Sequence, residues 1–509
     1  MYRRSKVRNL KAIRAQARNA APQDAAWRQS FSPEDLEQFE AEVHGVVIVP
    51  GDPDYDQARQ VYYRQFQCFP KIIVYCICDS DVAACLNLAR SFDLEVVCRS
   101  GGHSSAGFSI NDGMVIDLSR INSVSVDPVA KRAVVGAGIN FHRLNAALQD
   151  HGLHVPGGGC DEVCIGGYMQ GGGYGFTSRE FGMNCDCVES FDMMLWNGGI
   201  VTANSETNAD LFWSVRGGMG TNFGVLLSVT YQLFELGELY GFGLSWDADY
   251  APAALVALQK GFISGPGLKK LGYQCAFMMS DGAPRFYMRG LFDGSGETCR
   301  DLLKPLTDLP GTSHDIEMSG SYVELNQKLL SKPVPIPNAP DDALEEKQSG
   351  YLSRVLDASD WQKVIDYMRT SPCPWNNIGI EPYGGMIERT DDPNAFVHRD
   401  VQMNLFMEVF WAREEDRAKN VAWLDGFMTL MKPYLNGHSY QNYPRPGMKN
   451  ADTAYWADYL DTLALVKSKY NPFDWFANPQ RIGLLKAQPP GAPPAKGPKF
   501  PDRPIVYSR

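Results

Sequence analysis

Two short segments, about sixty residues apart, each set a nucleophilic side chain among glycines. The first is Arg99-Ser100-Gly101-Gly102-His103-Ser104-Ser105. The second runs from Cys160 through Val163, Cys164, Gly166, Gly167 and Tyr168 to Gly171-Gly172-Gly173-Tyr174-Gly175. Glycine lets the main chain approach a bound group closely, and a turn built on Gly101-Gly102 with Ser104 and Ser105 can aim several N–H donors at a pyrophosphate. The glycine density of the second segment suits neither a helix nor a strand interior unless something flat lies against the backbone. A third stretch, Trp213 to Val225, again brings glycine backbone (Gly220, Gly224) together with an amide side chain, Asn222. None of the three is the Gly-x-Gly-x-x-Gly fingerprint of a classical dinucleotide fold, because no helix-forming run and ribose-binding acid follow at the required distances.

The elements that must position these loops read as a small α/β unit. Strand-like runs at 46–49, 71–77 and 94–98 flank a helical 80–90, and the last of them delivers the first glycine loop. Further strands are expected at 114–118, 123–127 and 132–138, and an amphipathic helix at 141–151. After about residue 236 the glycine loops stop, and longer strands (286–292, 401–411) and helices (298–304, 359–370, 413–432) follow. The stretch 331–350, with its prolines and charges, reads as an excursion or lid loop, which makes Asp341-Asp342 and Glu345-Glu346 loop charges.

Composition bounds the class of protein. The 509 residues exceed one small core and fit two or three lobes, and 44% hydrophobic content is globular. A net charge of −11 excludes a general nucleic-acid binder, and no apolar run is long enough to span a bilayer. The basic start lacks the apolar stretch of a secretory signal, and the twelve cysteines show neither zinc-finger spacing nor a secreted disulfide framework. A cytoplasmic setting without a metal site is the expectation.

On these residues the chain resembles the berberine-bridge-enzyme-like branch of the vanillyl-alcohol-oxidase (PCMH-type) flavoproteins. The resemblance rests on Arg-Ser-Gly-Gly-His103, Val115-Ile-Asp-Leu-Ser119, Cys160-x-x-Val163-x-x-Gly-Gly, Asp210-Leu-Phe-Trp-Ser-Val-Arg-Gly-Gly, Asn222-Phe-Gly-Val225, Tyr440-Gln-Asn-Tyr443 and Val466 to Phe476. It implies an α+β fold: a two-part FAD-binding domain (40–235 and 436–487), a substrate domain (236–435) whose antiparallel sheet roofs the flavin, a basic arm (1–39) and a proline-rich tail (488–509). It further implies FAD attached covalently through His103 and Cys160, with Cys164 as the rival thiol. The loops around it would be Arg99 to Ser105, Val163, Gly166 to Tyr168, Gly173-Tyr174, Gly220, Asn222, Gly224-Val225 and Asn442. Tyr168 replaces a histidine near the flavin's pyrimidine edge, and the small Val163 at an oxygen-gating position resembles the oxidases.

The implied chemistry is hydride loss from a small-molecule organic substrate, with O2 as the final acceptor. Such a step needs a base for the substrate's proton. Tyr443 is the first candidate and Tyr440 the second, on a segment read as extended, with Asn442 facing away from Tyr443. Along 401–411, Gln402, Asn404, Phe406, Glu408 and Phe410 share one face and are expected to line the substrate cavity, with Glu408 as an alternative base. Val401, Met403, Leu405, Met407 and Val409 form the core face. Competing readings are a dehydrogenase with another acceptor, an oligosaccharide oxidase, and a protein that retains flavin without turnover.

Overall fold

The computed structural model describes residues 13–14, 18, 27, 30–265, 267–331, 339–340, 342–389, 391–476, 478–484 and 505–508. Most of the basic arm, most of the proline-rich tail and the first part of the expected lid lie outside these residues.

Two sheets carry the glycine loops. In the first, strands Val46–Ile48, Ile72–Tyr75, Met114–Asp117 and Val96–Arg99 lie side by side in that order, parallel except at the first pair. The helix Asp79–Ser91 makes the crossover between parallel strands and buries Val82, Leu86 and Leu88. The first glycine loop leaves the carboxyl end of Val96–Arg99, the end at which ligands bind in parallel α/β sheets. A second, antiparallel sheet runs Val124–Asp127, Arg132–Gly136, Val225–Gln232, Val188–Met194 and Ile200–Asn204.

The third sheet is the roof. Seven antiparallel strands lie in the order Thr312–Gly320, Leu239–Asp247, Ala283–Asp293, Leu271–Ser280, Asn377–Pro382, Met403–Trp411 and Leu344–Leu352. Its outer face buries Phe277, Phe286, Ile378, Ile380, Leu405 and Met407 in one apolar core with helices Ala251–Gly261, Ala358–Met368 and Arg417–Met431. Because strand side chains alternate, the polar residues between these are turned to the inner face.

The expected 413–432 helix begins at Arg417, after a 3-10 turn at Glu414–Asp416. The lid reading fails from residue 344 on: Leu344–Leu352 is an edge strand in full register with Met403–Trp411, so Glu345-Glu346 are strand residues on opposite faces. Pairing with an already formed strand overrides the poor strand propensity of Glu and Lys. The end of the tail also docks: Tyr507 bridges Val201, and Val506 exchanges hydrogen bonds with Asn208 of 2.9 and 3.1 Å. Among the described residues no helix is long and apolar enough to cross a membrane.

Candidate active site

Between the roof and the glycine loops lies a cavity of about 940 Å³, near the upper end of the usual range for small-molecule sites. Its wall includes Ser100 to Ser105, Cys160, Val163, Cys164, Gly166 to Tyr168, Tyr174, Gly220, Tyr440, Asn442, Tyr443 and Glu408. His103 and Cys160 therefore face one space, although they come from separate loops. His103 stacks on Tyr62, with ring centroids 4.3 Å apart. Burial, followed by the charge of Lys347, lowers its pKa to about 4, which leaves the imidazole neutral at pH 7.

The remaining sequence-selected residues sit behind this wall. Arg99 is buried and ion-paired with Asp117 at 2.6 Å, bracing the loop from below. Gly173 has φ of +83° and donates its N–H to the Tyr440 hydroxyl. Asn222 is a latch: its amide donates to Met219 and Gln480 carbonyls and accepts from the Ile482 N–H. Gly224 abuts the Met194 carbonyl and Val225 opens a buried strand, so these three shape the site without lining it. Gln402 is a correction. It precedes its strand, and its side chain accepts from Gln259 at 3.0 Å, away from the cavity. Asn404 and Phe406 support the roof, and only Glu408 of that face reaches the cavity wall with Phe410.

A second correction concerns 440–443. The segment is a turn closed by the Tyr443 N–H to the Tyr440 carbonyl at 2.9 Å, and it brings both tyrosine rings to one side with centroids 5.0 Å apart. Their roles then divide. The Tyr440 oxygen already accepts from Gly173 N, Tyr174 N and Asn442 Nδ2 (3.0, 2.9 and 3.1 Å), so it clamps the second glycine loop and has no lone pair to spare for a substrate proton. Tyr168 likewise spends its hydroxyl on the Tyr174 carbonyl. Tyr443 instead donates to Glu381 Oε1 at 2.6 Å, with the Lys347 ammonium 4.3 Å above its ring.

Glu381 is the residue that motif reading missed. It lies near the end of the Asn377–Pro382 strand, is 1% exposed, and also accepts from Asn404 at 2.9 Å and Gln274 at 3.3 Å. Burial pushes its carboxyl up to about 7, against the opposing hydrogen bonds of Tyr443 and Asn404 and the charge of Lys347. The available signal was a lone acid inside the apolar run Ile378-Gly-Ile-Glu-Pro. Beside it, Lys347 pairs with Glu408, which also accepts from Asn377 at 3.0 Å. Burial raises Glu345, next along the same face, to about 7 as well.

The wall fits a flavin dinucleotide. Among the described residues none accepts a hydrogen bond from the backbone N–H of Gly101, Gly102, His103, Ser104 or Ser105, a row of unspent donors suited to phosphate oxygens. The Gln170 side-chain carbonyl, buried at the same cavity, has no donor among the described residues. A Cβ on Gly167 would meet nothing within 4 Å, so its backbone faces open space.

Such a cavity, with a cradle of donors below and a proton-accepting pair above, defines a flavin-dependent redox enzyme, and comparison with known proteins agrees. Residues 70–204 match the FAD binding domain model and 439–483 the model for berberine and berberine-like proteins. An uncharacterized FAD-linked oxidoreductase of Bacillus subtilis, YgaK, is 26% identical over 87% of this chain and 97% of its own length. Xylooligosaccharide oxidase of Thermothelomyces thermophilus is 27% identical over 75% of this chain and 81% of its own. Among solved structures, BBE-like 1 of Physcomitrella patens superposes with a TM-score of 0.80 at 25% identity, covering 89% of this chain and all of its own. The chain is an FAD-linked oxidoreductase similar to the berberine-bridge-enzyme-like proteins.

Proposed function

We propose that the protein is an oxidase whose FAD is held through both His103 and Cys160, and which oxidises an alcohol, amine or activated C–H of a bulky organic substrate while reducing O2 to H2O2. The observation that carries this reading is the Tyr443–Glu381 pair, which joins the 440–443 turn to the roof sheet and lines the cavity whose wall bears His103 and Cys160. When bound, the isoalloxazine supplies the two-electron acceptor and its reaction with O2.

The chain's own part is to move a proton. The Tyr443 oxygen takes the proton of the substrate's O–H or N–H as its own proton passes to Glu381 Oε1. The carboxylate can accept because burial has raised its affinity for protons to the working range. Lys347 stabilises negative charge developing on the Tyr443 ring. Neutral His103 retains the ring nitrogen lone pair that a covalent bond requires, and the cavity-facing, exposed Cys160 suits the second attachment better than the buried Cys164. Val163 on the wall supports access by O2.

Acid precipitation of the purified protein, followed by tryptic mass spectrometry, tests the attachment. A yellow pellet with flavin on both the His103 and the Cys160 peptide is expected, with H2O2 released on turnover. Flavin found only in the supernatant overturns bicovalent attachment, and reduced enzyme that fails to react with O2 turns the reading to a dehydrogenase.

A further inference from the structure

Arg289 lies at the middle of the Ala283–Asp293 strand, and its register partner on the next strand is Gln274. Paired residues point to the same face, and Gln274 lines the cavity and bonds Glu381. Arg289 therefore belongs to the inner face, one strand from Gln274 and two from Glu381, each step about 4.8 Å. Its guanidinium lies 6.0 Å from the Phe176 ring centroid, and the edge of Phe176 lies 3.4 Å from where a Cβ on Gly159 would stand, beside Cys160. The side chain is thus bounded by the roof and by the turn that carries the cavity's cysteine.

Among the described residues no acceptor meets any of its five N–H groups, and Nη1 is buried without a partner. Arg289 is half-buried, and a guanidinium with an enclosed N–H left unpaired is costly and uncommon. The acids on the same face are already engaged: Glu381 with Tyr443 and Asn404, and Glu408 with Lys347 and Asn377. The charge of Glu408 reaches Arg289 without a hydrogen bond, so an anion in direct contact is missing, and the planar fork of arginine fits a carboxylate with two parallel bonds.

We propose that Arg289 is the specificity residue of this site and that the substrate carries a carboxylate, which Arg289 holds while the carbon to be oxidised lies near Tyr443. The assignment rests on the oxidase reading of the cavity and narrows it to acidic substrates. The flavin of the purified holoenzyme reports occupancy, so its visible spectrum is titrated with benzoate, phenylacetate and 3-phenylpropionate and with the corresponding neutral amides, in wild type and in Arg289→Met. At least one acid is expected to bind tenfold or more tightly than its amide in wild type, and Arg289→Met is expected to abolish that preference. The methionine keeps the stem packed on Phe176 and removes an unpaired charge, so the variant should melt at the wild-type temperature or above it. An arginine with only a structural role would lower the melting temperature. A yellow protein with no acid preference, or a preference that survives in Arg289→Met, overturns the carboxylate assignment alone. A colourless protein overturns the oxidase reading and this one with it.

Discussion

The floor and the roof of the cavity are made of opposite materials. The floor, from Ser100 to Ser105 and from Gly166 to Tyr168, is mostly backbone: glycine, the unspent amides of Gly101 to Ser105 and a neutral imidazole. The roof is side chain, with Glu345, Lys347, Glu381, Arg289 and Glu408 all turned to the inner face of one sheet. A backbone surface holds a large flat group whose shape does not change, because main-chain donors are fixed by the fold and cost no side-chain entropy. A titratable surface in a dry setting adjusts proton affinities, and there small changes of residue alter chemistry and selectivity. Holding and reacting are thus assigned to different surfaces of the cavity.

The sharpest way to break this division is to disable the roof and leave the floor intact. Tyr443→Phe and Glu381→Gln are each expected to lower kcat by about 10²- to 10⁴-fold, the usual worth of a general base, with flavin content unchanged. Since the two act on one proton, the double variant should be little worse than the poorer single one. Stopped-flow reduction of the flavin measures this, and additive losses would show that the residues work separately.

The joint between the two regions comes next in size. Asp186, in the turn before strand Val188–Met194, is buried and accepts from Arg399 Nη1 and Nη2 at 2.7 Å each and from Asn394 at 2.7 Å. Burial raises its pKa, but the Arg399 charge and hydrogen bonds outweigh this and hold the carboxyl below its ordinary value. Asp186→Asn leaves a buried guanidinium without its counter-charge and should cost about 3–5 kcal/mol, read as a lower melting temperature. By the same linkage the pair's contribution is present above about pH 4, the unfolded aspartate value, and is lost as pH falls through the lower folded value.

A smaller effect distinguishes the roof's proton acceptor from its neighbours. Glu381 must be ionised to take a proton, and its pKa is about 7. The value of kcat/KM should therefore rise as pH increases toward 7 and level off above it, with up to a tenfold loss per unit below. The residual rate of Glu381→Gln should lack that limb. A limb that persists in this variant would assign the titration to Glu345 instead.

The contrast also explains what the sequence made legible. Floor residues announce themselves locally, as nucleophiles embedded in glycine, although Ile165–Gln170 of the second segment folds as a short helix despite Gly166 and Gly167. Roof residues are joined only by register. Glu381, Lys347 and Arg289 come from three strands with no shared motif, and nothing near Glu345-Glu346 distinguishes a cavity-facing acid from a solvated one until the strand pairing is known. Turn geometry was equally hidden. Tyr440-Gln-Asn-Tyr443 contains neither Gly nor Pro, so an extended reading was the natural one, and the turn is imposed by Asn442 and Tyr440 bonding to the second glycine loop.

The smallest effect probes the floor itself, through its two competing thiols. Cys164 is buried, its sulfur lies 3.4 Å from the Gly138 carbonyl, and a Cβ on Gly101 would come within 2.9 Å of it; burial raises its pKa to about 12. A thiol so enclosed is a packing and hydrogen-bonding group, and a serine hydroxyl can make the same bond to Gly138. Cys164→Ser should therefore change stability by no more than about 1 kcal/mol and leave the flavin-bearing peptides as they are. Cys160 is exposed at the cavity wall, and although burial of its thiol raises its pKa, backbone N–H groups of Glu162 and Val163 oppose the rise. Cys160→Ser should leave flavin on the His103 peptide alone, still yellow in the acid pellet but with a shifted visible band. If Cys164→Ser removes the second attachment instead, the floor closes around the flavin from the Gly138 side, and the cavity wall at Cys160 belongs to the substrate.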